Sequence, residues 1–115
     1  MPERPDAAAP PPDVWDGEIA ADLPGSLVLA GVTYLHPDGS LDHQKQIFGY
    51  VLEADRQRGI QLRLEGAEAG KVHWLPPDTR PFRRARQGQY RLRSTGEAVN
   101  DPDYTCAWTV HAPKQ

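Results

Sequence analysis

The stretch FRRARQGQYRLR, Phe82 to Arg93, concentrates the residue types of this chain that could bind an anion. It contains five arginines, two aromatic residues and no acidic residue. Arginine side chains can neutralise the phosphates of a nucleic acid, and an aromatic ring such as that of Phe82 can stack on a base. The candidate binding residues of this basic strip are Phe82, Arg83, Arg84, Arg86, Arg91 and Arg93.

The charge of the remaining chain offers these arginines other partners. The segment from Arg80 to Arg93 holds six arginines and no acid, whereas the rest holds seven basic and sixteen acidic residues, so +6 and −9 give the net charge of −3. Carboxylates near in sequence can pair with the strip: Asp78, Glu97, Asp101 and Asp103. Three readings stay open: arginines solvated or paired within the chain, a patch for a protein partner, or a nucleic-acid strip. We predict that at least one of these arginines contacts a carboxylate.

The other reactive side chains form no recognisable motif. The histidines, His36, His43, His73 and His111, lack metal-ligand spacing, and only one cysteine accompanies them, so we predict neither a metal nor a cofactor. Cys106 falls on the inward side of the last predicted strand and is expected to be a structural thiol. DPDY, from Asp101 to Tyr104, is typical of a turn rather than a calcium loop. No nucleophile elbow, phosphate loop or dinucleotide fingerprint occurs.

Composition places the chain among small soluble domains. Its 115 residues suit one domain, 38% are hydrophobic, and no apolar run approaches a membrane span. The start MPERPDAAAPPPD lacks the basic and apolar regions of a secretory signal, and the single cysteine fits a reducing compartment. We therefore expect a cytoplasmic location without membrane contact.

The pattern of turns and alternation predicts an all-β fold. Residues 1–25 form a proline- and alanine-rich tail, disordered over 1–12, in which DVWDGEIAADLPG can make one short helix capped by Asp16. Trp15 either anchors this segment or belongs to a mobile tail. Residues 26–115 are expected to form a small, strongly bent antiparallel barrel of five or six strands. Tyr90 and Leu92 alternate with arginines and should be substantially buried. The predicted core is Leu29, Val32, Phe48, Val51, Ile60, Leu62, Leu64, Val72, Trp74, Leu92, Trp108 and Val110.

One segment resembles a known family. From Gly25 to Leu64, an alternating strand, a glycine turn and a hydrophobic–glycine–hydrophobic strand precede an aspartate and an aliphatic strand. The matching positions are Gly39, Phe48, Gly49, Val51, Asp55, Ile60, Leu62 and Leu64. This order resembles the first motif of Sm-like proteins, which implies a small barrel of the Sm-like or Src-homology type. The turn RQRG lacks the asparagine that often contacts a base in that family, and the second motif is absent. The later order LPPD…GQYRLRSTGE…DPDY…W resembles small uncharacterised bacterial proteins.

The sequence favours a binding role over an enzymatic one. We expect a non-enzymatic domain that binds a protein partner in a bacterial cytoplasm. The alternatives are an Sm-like module that binds RNA or single-stranded DNA through the basic strip, and an unrecognised small hydrolase. A nucleic-acid-binding module should show unpaired arginines beside exposed rings, and a hydrolase should show a pocket with convergent titratable groups. A protein-binding domain should show an exposed apolar patch. The sequence does not predict an oligomeric state.

Overall fold

A computed structural model describes residues 14–93 and 95–112 of the chain. The predicted disorder of residues 1–12 lies outside the described residues. The described part is mostly β, with one α-helix, one short 3-10 helix and eight strands. In chain order these are α1 (Gly17–Asp22), β1 (Leu27–Leu35), β2 (Leu41–Asp55), β3 (Gly59–Leu64), the 3-10 helix Gly66–Glu68, β4 (Val72–Leu75), β5 (Arg83–Arg84), β6 (Gln89–Arg91), β7 (Ala98–Asn100) and β8 (Tyr104–His111).

Six strands form one open sheet in the order β4-β3-β2-β1-β8-β5. Neighbours are antiparallel except β1 and β8, which run parallel with Val28 opposite Tyr104 and Leu35 opposite His111. The predicted all-β class is confirmed, but the prediction of a small antiparallel barrel of five or six strands is wrong, because the sheet is open and one pair is parallel. Closure would need β4 and β5 to pair, but β5 has two residues and lies at the far edge of the sheet. The parallel pair arises because β8 returns to β1 after a long crossover.

The predicted strand around Tyr90 leaves the main sheet. Strands β6 and β7 pair with each other only, with Tyr90 opposite Val99. Leu92 and Val99 of this hairpin pack on Leu29 in the main sheet. We call this side of the six-stranded sheet the hairpin face. Because Leu29 is buried there while Val28 is buried on the opposite side, β1 is covered on both faces, as its unbroken apolar sequence predicts.

The opposite side, the helix face, is covered by α1 and the segment before it. Asp16 caps α1, its Oδ1 accepting the backbone N–H groups of Glu18 at 2.9 Å and Ile19 at 3.3 Å, which confirms the predicted helix and cap. Trp15 packs against the larger core cluster, so the anchored alternative holds. Within the described residues, no helix is long and apolar enough to cross a membrane.

The core agrees with the prediction along β1, β2 and β3 but not along β4. The predicted core residues that are buried are Leu29, Val32, Val51, Ile60, Leu62, Leu64 and Leu92, while Phe48 and Trp108 are half-buried. The assignment of Val72, Trp74 and Val110 to the core is wrong, since all three are exposed. In β4 the register sets Leu75 opposite buried Ile60 and His73 opposite buried Leu62. The alternate residues Val72 and Trp74 must then point to the hairpin face, beyond the area that the hairpin covers.

Gly49 marks the closest approach of two neighbouring strands. A Cβ atom built there would collide with the backbone carbonyl of Arg63 in β3, whereas one built at Gly31 in β1 would have nothing within 4 Å. Only a residue without a side chain fits at position 49.

Candidate functional site

The structure separates the arginines of the basic strip. Arg83 and Arg84 form β5 at the edge of the main sheet, whereas Arg91 lies in β6 of the separate hairpin. Successive residues of a strand point to opposite faces, so Arg83 and Arg84 project on different sides of the sheet. The strip therefore does not form one continuous basic surface.

Two of the arginines pair with carboxylates, as predicted. Arg80 Nη2 donates to Asp78 Oδ2 at 2.7 Å, and the Arg80 guanidinium and backbone N–H hold the pKa of that carboxyl below its usual range. Arg84 Nη2 lies 3.2 Å from Asp22 Oδ2, and its guanidinium stands 5.2 Å from the ring centroid of Tyr104. Tyr104 donates its hydroxyl to the same carboxylate oxygen at 2.6 Å. This cluster ties the end of α1 to the sheet edge.

The remaining arginines differ in how they are held. Arg83 Nη1 donates to the Phe82 carbonyl at 3.0 Å, and Arg91 Nη1 donates to the Gly96 carbonyl at 2.8 Å. Arg86 and Arg93 form no ion pair with any carboxylate in residues 14–93 and 95–112. Arg83 and Arg91 likewise have no carboxylate partner among these residues, so four exposed guanidinium groups keep unbalanced charges, divided between the edge of the main sheet and the hairpin.

Neither aromatic ring of the strip is presented for stacking on a base. Phe82 is 3% exposed, and its ring makes edge contacts with Tyr104 and Trp108 at centroid distances of 6.2 Å each. Tyr90 is half-buried against the hairpin-face core, and its hydroxyl donates to the Arg86 carbonyl at 2.8 Å. Leu92 is buried. The predicted burial of Tyr90 and Leu92 is confirmed, and the base-stacking role considered for Phe82 conflicts with its burial.

Four of the six large apolar side chains that are exposed among the described residues lie elsewhere, on the hairpin face of β2 and β4. Tyr50 is 40% exposed, Leu52 45%, Val72 51% and Trp74 41%. Tyr50 pairs with Arg63, which in turn pairs with Val72, so the three side chains form one row across three strands. Trp74 follows two residues after Val72 on the same side. We call Tyr50, Leu52, Val72 and Trp74 the Trp74 patch.

Leu52 joins this patch through an irregularity in β2. The pairing of β2 with β3 shifts between Val51 and Glu53, which leaves Leu52 as an extra residue in its strand. Val51 is buried in the helix-face core while Leu52 is exposed, so Leu52 points to the outer side with Tyr50. The bulge thereby adds an aliphatic side chain to the aromatic row.

Charged groups frame the Trp74 patch. The Arg58 guanidinium lies 5.6 Å from the ring centroid of Trp74 and forms an ion pair with Glu53. Arg63 Nε lies 3.6 Å from Glu65 Oε2. The patch thus combines exposed rings with exposed guanidinium groups whose charges are balanced by neighbouring carboxylates.

Sequence reasoning missed this surface because it placed Val72 and Trp74 in the core. The alternation in KVHWL shows correctly that these two residues share a face. Leu75, directly before two prolines, is the residue that fixes the choice of face, because it packs opposite Ile60 in the core. Extending the alternation by one residue to Leu75 could have found the exposed tryptophan.

One cavity of the structure has carboxylate and lysine side chains in its lining. This cavity of about 210 Å³ has Phe48 and Leu64 in its lining, with Glu68 and Glu97 nearby. Glu68 pairs with Lys45 at 2.8 Å and with Lys71 at 3.3 Å, and these lysines lower its pKa. Glu97 accepts the Ala67 backbone N–H at 2.9 Å. Both carboxylates line this cavity, but each is already engaged, Glu68 by the two lysines and Glu97 by the turn after β3.

A second cavity of about 490 Å³ lies on the hairpin face near Gly31 and Ala107, with Arg93 at its rim. The Arg93 backbone N–H donates to Gln46 Oε1 at 2.6 Å, which ties the hairpin to β2. Within the part of the chain that the structure describes, no group of three or more His, Cys, Asp or Glu side chains is placed to hold a metal ion.

Burial shifts the pKa of two potentially reactive groups. Cys106 is buried on the helix face, where burial raises the pKa of its thiol to about 12. His73 lies in β4 opposite Leu62 and is half-buried, and desolvation, together with the Lys45 charge, lowers its pKa. A thiol that stays protonated near neutral pH is a poor nucleophile, which fits the structural role expected for Cys106.

Comparison of the chain with models of protein families, with curated proteins and with solved structures yields no match in any of the three. The Sm-like resemblance therefore stays a prediction.

Proposed function

We propose that this chain is a non-enzymatic binding domain that recognises a protein through the Trp74 patch. The observation that carries the proposal is the row of exposed Tyr50, Arg63 and Val72 beside Trp74 on one sheet face. Tryptophan, tyrosine and arginine are the residue types in which binding hot spots are enriched. Apolar side chains gathered on one face of a small domain are typical of an interaction site.

The charged side chains around the Trp74 patch indicate the chemical character of the partner's surface. Arg58 and Arg63 have exposed guanidinium groups, and each is already balanced by Glu53 or Glu65. The patch itself is therefore nearly neutral, and its recognition depends on apolar and aromatic contact more than on net charge. We propose a partner that inserts apolar side chains between Tyr50 and Trp74, with polar groups at the rim.

The proposal is tested by comparing wild type with Trp74→Ala and with Leu41→Ala. Leu41 is an exposed leucine outside the patch and serves as the matched control. A protein captured from a lysate of the source organism is purified, and its affinity for all three chains is measured by calorimetry. We expect Trp74→Ala to weaken binding about 30-fold or more, since loss of a hot spot costs at least ~2 kcal/mol, and Leu41→Ala to leave it unchanged. Equal affinities for all three chains contradict the assignment of the patch.

The nucleic-acid alternative has its own test. Wild type and Arg83→Ala/Arg84→Ala/Arg86→Ala are titrated against a fluorescent single-stranded oligonucleotide at low salt. Our proposal expects no binding of wild type at micromolar concentration. Binding by wild type that the triple variant loses would replace the protein-binding proposal with nucleic-acid recognition by the basic strip.

A further inference from the structure

The outer edge of β8 is open along most of its length. Strand β5 covers only Tyr104 and Thr105, and within residues 14–93 and 95–112 no other strand pairs on that side. From Ala107 to His111, none of the residues that the structure describes forms a strand beside the outer edge. An open edge presents unpaired backbone N–H and C=O groups, which are a template for a further strand.

The ladder on either side shows which backbone groups point outward. The Ala112 N–H donates to the Leu35 carbonyl at 2.9 Å, so the even-numbered residues of β8 bond to β1. On the other side, the Ala85 N–H donates to the Asp103 carbonyl at 3.0 Å and Arg83 lies opposite Thr105, two positions further, so from Thr105 onward the odd-numbered residues of β8 face β5. The residues whose N–H and C=O groups point to the open edge are therefore Ala107, Thr109 and His111.

This edge lacks the protection that the other free edges have. Strand β4 has only four residues, and the part of β2 that extends beyond β3 carries Asp42 and Lys45. Short strands, prolines and charges prevent edge-to-edge association. In contrast, YTCAWTVH, the sequence of β8, contains no proline, lysine, arginine or carboxylate.

We propose that β8 pairs antiparallel with β8 of a second copy of this chain, about a two-fold axis at Thr109. In this register Thr109 faces Thr109 of the second copy, and Ala107 faces His111. These are the residues whose backbone groups point outward, so all three facing pairs can exchange two hydrogen bonds each. At the two-fold axis Thr109 faces its own symmetry mate, so a charged side chain at this position would repel its copy. Strand β8 has none there.

The side chains of the same register are complementary on the helix face. Trp108 is half-buried and Val110 is 43% exposed. The register sets Trp108 of each copy opposite Val110 of the other, at positions where side chains approach closely. The second copy thereby covers an apolar residue that is exposed in the single chain. The Trp74 patch lies at the opposite end of the strand order and stays accessible in both copies.

The β-ladder between the two copies is only five residues long, so the interface is small and the dimer should be weak. Stable interfaces bury ~1,200 Å² or more, and a smaller one is expected to have a Kd on the order of 10–100 µM. Sedimentation velocity of the full chain should therefore show monomer at about 2 µM and mostly dimer at about 500 µM. A wild-type chain that is monomeric at the higher concentration overturns the proposal.

Introducing a charged residue at the two-fold axis tests the pairing register of the two β8 strands. Thr109→Lys and Thr109→Glu each place like charges opposite one another and should weaken dimerisation at least tenfold, while an equimolar mixture of the two should restore it. Thr109→Val and Leu41→Lys are the controls, because they change the same position without charge or add the same charge elsewhere, and both should dimerise as wild type does. Failure of the mixture to dimerise, or undiminished dimerisation of either charged variant alone, refutes the pairing at Thr109.

A second measurement does not depend on these variants. In a mixture of isotope-labelled and unlabelled wild type, isotope-filtered NMR should detect contacts between Val110 of one copy and Trp108 of the other. A dimeric sample without these intermolecular contacts would show that the copies associate through another surface.

Discussion

Replacement of Phe82 by alanine should destabilise the domain strongly. The ring is 3% exposed and lies between Tyr104 and Trp108, with edge contacts to both. Truncation of a buried phenylalanine removes its burial and leaves a cavity, together worth about 3–5 kcal/mol. Native domains of this size are stable by only ~5–15 kcal/mol, so this one side chain supports about a fifth or more of the total. For about 100 residues, a loss of ~4 kcal/mol corresponds to a fall in Tm of about 15–30 °C.

The assay is thermal and urea unfolding of wild type and Phe82→Ala, followed by circular dichroism. Leu41→Ala serves as the control, because Leu41 is 58% exposed and its truncation should change the free energy of unfolding by less than ~0.5 kcal/mol. If Phe82→Ala melts within about 2 °C of wild type, Phe82 does not support the helix-face core, and its ring becomes available for a binding role.

Two further changes test the packing of β2 and β4. Gly49→Ala should cost about 1–3 kcal/mol in urea unfolding, because the new methyl group meets the Arg63 carbonyl, whereas Gly31→Ala, with open space around it, should be close to neutral. The pKa of His73 is lowered in the folded state by burial, so the stability that this group contributes is present above about pH 6.5 and is lost as pH falls below it. His73→Asn should reduce the loss of unfolding free energy between about pH 7.5 and 5.5, and an NMR titration that places the His73 pKa above 6.5 would contradict this sign.

Local sequence patterns predicted the elements better than their assembly. The alternation of Ile60, Leu62 and Leu64, the Asp16 cap and the turn at Gly59, whose φ is 112°, all follow from neighbouring residues and are confirmed. These features depend on interactions within a few positions of the chain. Sequence reasoning can read such interactions directly.

The errors arise where distant strands decide the outcome. Alternation shows that Val72 and Trp74 share a face, but the register against β3 decides that this face is outside. Likewise, nothing in the residues around Tyr104 indicates that β8 pairs in parallel with β1, or that the hairpin of Tyr90 leaves the main sheet. Alternation extended to Leu75 could have indicated that Trp74 is exposed, but the full patch with Tyr50 and Leu52 depends on strand register and on where the hairpin lies.

The sheet begins with β1, but β1 receives its second neighbour only when β8 has been made. Some seventy residues separate Leu35 from Tyr104, and Val28 and Ala30 stay without their neighbours Tyr104 and Cys106 until then. During synthesis, therefore, the hairpin of β1 and β2 leaves the ribosome with one side unpaired and apolar residues uncovered. Formation of this parallel pair closes a long loop, which makes it a slow, late step of folding. A nascent chain halted before Tyr104 should need chaperone protection, whereas one extended past His111 should be released as a protease-resistant domain.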